Sequence, residues 1–393
     1  MKYDPKDFII DSGPMGPIGE GESLILRTTC NCPWNRCLFC NVYKGRRFRI
    51  RKVKDIKQDI EKVKRAEELL VETSGGRISQ LSFEKVLKLF NFSSVHEVFA
   101  LKRTMMNVGN WIFHGKRRVF LQDADSLIMK TDQLEEVLLY LKERFPSVEE
   151  FSSYARSKTC FRKSFDELKR LKNAGLSWLL VGIESGSDRV LKFMKKGVTS
   201  IEHVEGGKKV VESGIKMAAF IMPGLGGRDL SKEHVDETIK VLNSIKPYEV
   251  RIRSLAVLKG SPLFEKFLKG EFQPASEDQM IDEIERIIKG LEFDCIFETL
   301  QMTNVLFNIR GKLSLLKKPM LDAISQYKSF SKFERLSFRL RKYLYDGYLN
   351  YIEVDPDLLS LIEDAKKAIS SKREDAESIV EKAIFEIKSR GIP

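Results

Sequence analysis

Four of the six cysteines lie in one short run, Arg27-Thr-Thr-Cys30-Asn-Cys32-Pro-Trp-Asn-Arg-Cys37-Leu-Phe-Cys40. The spacing is Cys32-x4-Cys37-x2-Cys40, with Cys30 two positions before Cys32. Three thiolates on one loop can wrap a 4Fe-4S cluster and leave one iron without a protein ligand, where a cofactor can bind. Structural zinc, with Cys30 as fourth ligand, is the other reading. Only Asn31 separates Cys30 from Cys32, which is tight for two ligands of one tetrahedral site, and zinc more often uses paired Cys-x2-Cys knuckles. Spacing favours iron–sulfur and leaves zinc open. Cys160 and Cys295 are remote, and His96, His114, His203 and His234 show no metal-ligand spacing.

The elements that would position this loop follow from composition and pattern. The chain has 393 residues and a formal net charge of +12, with 42% apolar and 32% charged residues. That is a globular composition, with too few cysteines for a disulfide scaffold. The N-terminus lacks a basic flank followed by an apolar run, and no stretch reaches the roughly 20 apolar residues of a spanning helix. These features predict a soluble cytoplasmic protein whose thiols stay reduced, and leave a basic enzyme or a nucleic-acid binder.

Short apolar runs at Ser23–Thr28, Arg118–Gln122, Val148–Tyr154, Trp178–Ile183, Lys216–Met222 and Glu249–Leu255 read as strands buried on both faces. Helices fit between them. Asp132 is expected to cap one, Ser164 to cap Phe165–Ala174 with Gly175 closing it, and Ser231 to begin one that ends before Pro247. The order gives an α/β fold, a six-stranded (βα)6 partial TIM-type barrel with a C-terminal helical region. The expected division is an N-terminal extension at 1–22, the barrel at 23–265 with an insertion at about 73–116, and a helical region at 266–393. Residues 277–393 read as successive helices. The cysteines follow the first strand, on the face where α/β barrels place their active sites.

With these residues in view, the sequence resembles the radical S-adenosylmethionine (SAM) superfamily. The resemblance is carried by Gly13-Pro-Met-Gly-Pro-Ile, the cysteine loop, Phe120-Leu-Gln-Asp-Ala-Asp-Ser-Leu, Ser153-Tyr-Ala-Arg-Ser-Lys-Thr, Gly182-Ile-Glu-Ser-Gly-Ser-Asp, Met222-Pro-Gly-Leu-Gly-Gly and Arg251-Ile-Arg-Ser-Leu. It covers roughly residues 12–265. The superfamily's usual loop has three residues between its first two cysteines where this chain has four, a length that an uncharacterised subgroup looks to share. The resemblance implies a 4Fe-4S cluster on Cys32, Cys37 and Cys40. It implies reductive cleavage of SAM to a 5′-deoxyadenosyl radical that abstracts hydrogen from a substrate. A one-electron donor such as a ferredoxin or flavodoxin is implied too. Cys30 is not required by the resemblance and reads as a buried strand-end thiol.

The resemblance also suggests SAM contacts. Phe39 could pack on adenine or merely fill the loop. Asp123 could accept from the methionyl ammonium, although the family's Gly-Gly-Glu is absent, or serve a turn. Tyr154 and Arg156 end the third strand, where Arg156 could pair with the methionyl carboxylate or with a surface acid. Glu184 and Ser185 end the fourth strand toward the ribose or methionyl end. Met222 and Gly224 open a glycine-rich turn that lets a base approach. Arg251 and Arg253 share a face and would meet an anion inside the barrel or helix carboxylates outside it. Lys196 reads as solvated.

The short stretch before Ser23 is expected to leave no room for a cobalamin domain. Two spare cysteines argue against the second cluster of methylthiotransferases, and Glu298–Asn304 lacks the Ser-Asp-His-like pattern of relatives. Residues 44–65 carry eleven basic and three acidic residues, and 310–342 carry ten and two, with Tyr327, Phe330, Phe333 and Phe338 interleaved. Such segments suit RNA, an anionic membrane or an ordinary solvated face with a buried aromatic stripe. An RNA such as tRNA, or another anionic partner, is the substrate class suggested. The rival reading is a zinc-stabilised nucleic-acid-binding protein without radical chemistry. Substrate and oligomeric state are not legible.

Overall fold

Parallel strands buried on both faces need mostly apolar side chains, and the first apolar runs supply them. In the computed structural model, which describes residues 2–14, 19–77, 83–306 and 308–391, all six expected strands form. Residues 15–18 of the Gly13–Ile18 motif and 78–82 of the expected insertion lie outside the described residues. The chain divides into two compact units.

The first unit comprises Met1–Pro33, Gly45–Val181 and Glu212–Lys216. Strand β1 (Leu24–Arg27) is followed by a two-residue β2 (Thr29–Cys30), which pairs antiparallel with β3 (Arg49–Ile50) and sets Cys30 opposite Arg49. Strands β4 (Arg118–Gln122) and β5 (Glu150–Arg156) complete a parallel set, Leu24 opposite Val119 and Phe120 opposite Ser152. Leu24, Leu26, Val119, Phe120 and Leu121 are fully buried. The insertion acquires a role here. On its helix Val95–Phe113, Asn107 accepts from Ile25 N at 3.1 Å and donates to Ile25 O at 2.9 Å. One carboxamide thus does for β1 what a neighbouring strand would do.

Helix Phe165–Ala174 has the expected Ser164 cap, completed by Glu167 as a capping box, and Gly175 closes it at φ 120°. The cap expected at Asp132 is corrected: the helix runs Thr131–Arg144, with Lys130 at the cap position and no side-chain cap bond. Lys163 Nζ binds Thr131 Oγ1 at 2.7 Å, and Asp132 sits in the first turn facing Arg170.

Strand β6 (Leu176–Glu184) is the longest. The second unit comprises Trp34–Lys44, Gly182–Val211 and Met217–Pro393. There β7 (Lys216–Ile221) pairs in parallel with β8 (Glu249–Ile252), and β8 with β9 (Ile296–Glu298). Strand β10 (Arg310–Lys312) returns antiparallel to β9. The all-helical expectation beyond residue 277 is therefore corrected. β9 and β10 are three residues each, too short for a period to show. Helix Ser231–Ile245 forms as expected, ending at a left-handed Lys246. Four helices, Leu313–Ser329, Lys332–Tyr345, Pro356–Ser370 and Ala376–Ser389, make up most of the C-terminal region. A buried Glu277–Lys388 pair at 2.7 Å, with Tyr343 Oη donating to Glu277 at 3.1 Å, ties this region together. Among the described residues, no helix is long and apolar enough to cross a membrane.

Gly186 lies against helix Ser231–Ile245 so closely that an added Cβ would sit 2.2 Å from Glu237 O. Backbone cannot rotate away as a side chain can. Gly186→Ala should lower unfolding free energy by about 1–3 kcal/mol, read as a lower urea midpoint, and an unchanged midpoint would contradict this packing.

Candidate active site at the strand ends

At the end of β1, Arg27 is bound from two sides. Its Nε donates to Asp123 Oδ2 at 2.6 Å and its Nη1 to Asp11 at 3.0 Å. Asp123 Oδ2 also accepts from Asn31 N at 2.8 Å, inside the cysteine run. Asn31 Nδ2 donates to Arg47 O at 2.7 Å, fixing the same turn to the segment that follows. Gly13 N donates to Gln122 Oε1 at 2.8 Å, and an added Cβ there would strike Asp123 and Gln122. Asp123 thus shapes the first half of the loop through Oδ2. Its φ is 79°, and Asn31 (69°), Asn35 (47°) and Glu184 (62°) share the left-handed region. Non-glycine residues in that region mark places where surrounding contacts over-determine the backbone, which is common at sites.

Tyr154 packs edge-on to Phe120 with centroids 5.1 Å apart. Arg156 ends β5 and faces Asp125, to which the sequence alone assigns no role. Asp125 is fully buried, accepts from Thr159 Oγ1, and leaves Oδ1 without a partner among the described residues. Burial lifts its pKa to about 7, opposed by Thr159 and the Arg156 charge.

The second half of the loop is anchored within its own unit. Trp34 Nε1 donates to Lys195 O at 2.6 Å, and its ring fills the space over Gly197 that a Cβ would need. Asn35 Nδ2 donates to Tyr43 O at 2.6 Å and Lys44 Nζ to Asn35 O at 2.8 Å, tying the four-residue spacer to the segment just after Cys40. Leu38, between Cys37 and Cys40, is buried, with its N bound to Met194 O and its O to Leu263 N.

Lys196 is the main departure from expectation. A left-handed Lys195 (φ 52°) and Gly197 (φ 71°) turn it back into the fold, where it is 8% exposed. Its Nζ pairs with Glu184 at 3.0 Å and lies 5.8 Å from the Phe39 ring centroid. Phe39, Glu184 and Lys196 are therefore brought together. Ser185 is not beside them as a ligand-facing hydroxyl. It is fully buried, with Oγ 2.8 Å from His234 Nδ1 and accepting from Ser187 N. Met222 N donates to Glu184 O at 3.1 Å, and Gly224 N to Glu283 Oε2 at 2.6 Å. Glu283 also accepts from Ser231 and lies 3.8 Å from His234 Nε2. Burial lowers His234 to about 4 and lifts Glu283 to about 7. Ser185, His234 and Glu283 thus line up, buried, between the turn after β6 and the glycine turn after β7, although His234 Nε2 makes no hydrogen bond among the described residues.

Arg251 and Arg253 separate. Arg251 is buried and paired with Glu298 at 3.0 Å and Glu249 at 3.2 Å. Its counterions come from strands, where sequence reasoning looked to helices or a bound anion. Arg253 is half-buried, its N bonded to Ile221 O at 2.9 Å, and it makes no ion pair among the described residues. Asn304, in the Glu298–Asn304 segment, accepts from Ser254 N and Oγ at 2.9 Å and donates to Ile252 O, which shapes the backbone beside Arg253.

The radical SAM superfamily model matches residues 26–242, more than half of the chain, and the chain belongs to that superfamily. It is a radical SAM enzyme of α/β fold, a class whose cofactors are a 4Fe-4S cluster and SAM. A Methanocaldococcus jannaschii protein whose name proposes a methylthiotransferase is 27% identical over 52% of this chain and 36% of its own length. A tRNA uridine(34) acetyltransferase of the same organism is 26% identical over 30% of this chain and 22% of its own. The chain thus spans well under half the length of these relatives. The structure of the cobalamin-dependent SAM radical enzyme OxsB is 12% identical, covering 93% of this chain and 53% of that one at a TM-score of 0.45.

Donor chemistry fits the cluster. None of the six cysteines, all among the described residues, is in a disulfide, and Cys32, Cys37 and Cys40 are half-buried whereas Cys30 is buried. Soft thiolates on a loop partly open to solvent suit iron–sulfur ligation. Among the described residues, no three His, Cys, Asp or Glu are gathered into a ready-made metal site, so the fit rests on donor type and loop placement.

Glu283 takes up its proton more readily in the folded chain than unfolded, where it titrates near 4.5. The folded state therefore holds the extra proton between about 4.5 and 7, and this group's stabilisation declines as pH rises through that window. Neutral, isosteric Glu283→Gln should gain up to about 3 kcal/mol relative to wild type between about pH 5 and pH 8. Urea unfolding across pH measures the gap, and a pH-independent gap would refute the assignment.

Proposed function

We propose that Cys32, Cys37 and Cys40 hold the 4Fe-4S cluster and that the strand-end residues hold SAM, for hydrogen abstraction from an RNA, with tRNA as the leading candidate. The observation that supports this most directly is the loop itself. Three half-buried thiols lie on a backbone fixed by Asp123, Trp34 and Asn35, inside a matched superfamily segment. When bound, the cluster and SAM supply the electron transfer and the radical. The chain's own work is to bind, orient and exclude water.

Phe39 offers a ring beside Cys40, with Lys196 across its face. Glu184 and Lys196, paired with each other, present one carboxylate and one ammonium to a zwitterionic methionyl group. Arg253 and Arg156 are further cations for carboxylate or phosphate. Tyr154, Met222 and Gly224 shape the walls. Asp123 and Ser185 act as positioning residues, given their bonds to Arg27, Asn31 and His234. In this reading the barrel occupies residues 23–265 after an extension at 1–22, and the helical region at 266–393 shapes substrate access. A ferredoxin or flavodoxin supplies the electron, in the cytoplasm. RNA is favoured because relatives matched over part of their length include tRNA uridine(34) acetyltransferases and because the chain is strongly basic.

Anaerobic reconstitution tests the assignment. Wild type should carry about four irons and convert SAM to 5′-deoxyadenosine when reduced. Cys37→Ala should lose the iron and its visible absorbance. Cys30→Ala should keep them, since Cys30 is buried in the β2–β3 ribbon. A colourless protein with one zinc, or loss of iron in Cys30→Ala, would overturn the ligand set.

A further inference from the structure

The sequence has two basic segments, and the fold treats them differently. In residues 310–342 most cations are neutralised internally. Arg310 pairs with Glu249, Lys318 with Asp322, Lys328 with Asp282 and Glu285, Lys332 with Glu377, Arg339 with Asp278 and Lys342 with Asp346. The interleaved aromatics are partly core, since Tyr327 and Tyr343 are buried. This segment has little free charge to offer a polyanion.

In the segment after the cysteine loop Arg49, Arg51, Lys57, Lys62 and Lys64 are also in ion pairs, but the cations around β3 include four that are not. Arg46, Arg47, Lys52 and Lys54 are exposed and make no ion pair or hydrogen bond through their side chains among the described residues. The backbone that carries them is fixed. β3 pairs with β2, so Arg49 stands opposite Cys30, and Arg47 O is bound by Asn31. A second observation points the same way. Lys52 and Lys54 flank the start of helix Val53–Thr73, and Lys52 makes no side-chain capping bond. Cations there are disfavoured by the helix macrodipole, an effect that Asp55 in the first turn offsets in part. A bound phosphate would relieve that repulsion.

We propose that Arg46, Arg47, Lys52 and Lys54 form the docking surface for the phosphate backbone of the RNA, directly beside the start of the cluster loop. This rests on the RNA-substrate reading above and specifies which surface carries it. An anionic membrane is the less favoured occupant. Interfacial binding needs a broad apolar face, and helix Val53–Thr73 buries its stripe of Ile56, Ile60, Val63 and Leu70 completely.

The test uses the full chain and bulk tRNA as probe, with binding followed across salt concentration. Each duplex phosphate contact contributes about 0.9 to the slope of log affinity against log salt. The quadruple variant Arg46→Gln, Arg47→Gln, Lys52→Gln, Lys54→Gln should lose at least about tenfold in affinity, and its slope should fall by roughly 3 to 4. An unchanged thermal melt shows that it folds. The control Lys318→Gln, Lys332→Gln, whose charges are paired internally, should move the slope by less than about 1. An unchanged slope in the quadruple variant overturns the proposal. So does wild-type binding to phosphatidylserine vesicles in preference to tRNA. If wild type ignores tRNA yet still converts SAM to 5′-deoxyadenosine, the RNA surface falls and the radical SAM assignment stands. If tRNA binding depends on the four cations while SAM cleavage fails, the surface stands and the chemistry falls.

Discussion

Parallel strands end abruptly, and their last carbonyls and amides must find partners in the loops that follow. In the first unit that task falls largely on the carboxylate of Asp123. It holds the guanidinium at the end of β1 and the amide of Asn31 four residues beyond the strand. Removing it would leave Arg27, 9% exposed, short of one of its two counterions, and an uncompensated buried charge is among the larger penalties a fold can carry. The cysteine loop begins where it does because this carboxylate holds it there. A residue that resemblance would assign to the cofactor also works as the peg of the loop.

The second unit solves the same problem without charge. Ser185, His234 and Glu283 form a fully buried polar chain, and its two ends hold the turns after β6 and β7. Burial keeps His234 neutral and favours the protonated form of Glu283, so little net charge is enclosed. The hydrogen bonds at the two ends of the chain fix the turn backbone, while His234 Nε2, 3.8 Å from Glu283, makes no hydrogen bond among the described residues. Those end bonds suit turns whose backbone must hold steady while a ligand comes and goes.

Much of this was legible in the sequence. The six long apolar runs announced their strands because both faces are buried, and the cysteines announced themselves by type and spacing. Strands β9 and β10 did not, because three residues hold no period and Glu298 reads as polar until Arg251 is seen beside it. Lys196 looked solvated because its inward turn depends on a left-handed lysine at 195, a conformation that residue type does not predict. Asp125, His234 and Glu283 carried no local signal at all. Their significance lies in which other elements bury them, and that is tertiary information. Charge counts located both basic segments correctly and could not tell which of their cations are paired within the fold and which are not.

Asn107 bears on how such chains can be altered. It occupies the open flank of β1 with one carboxamide, so the segment that looks dispensable in sequence acts as a stopper on a sticky edge. Trimming that segment to a minimal barrel would bare a row of unpaired amides and carbonyls. The shortened protein would meet copies of itself along that edge, and its first failure would be insolubility, well before any loss of chemistry.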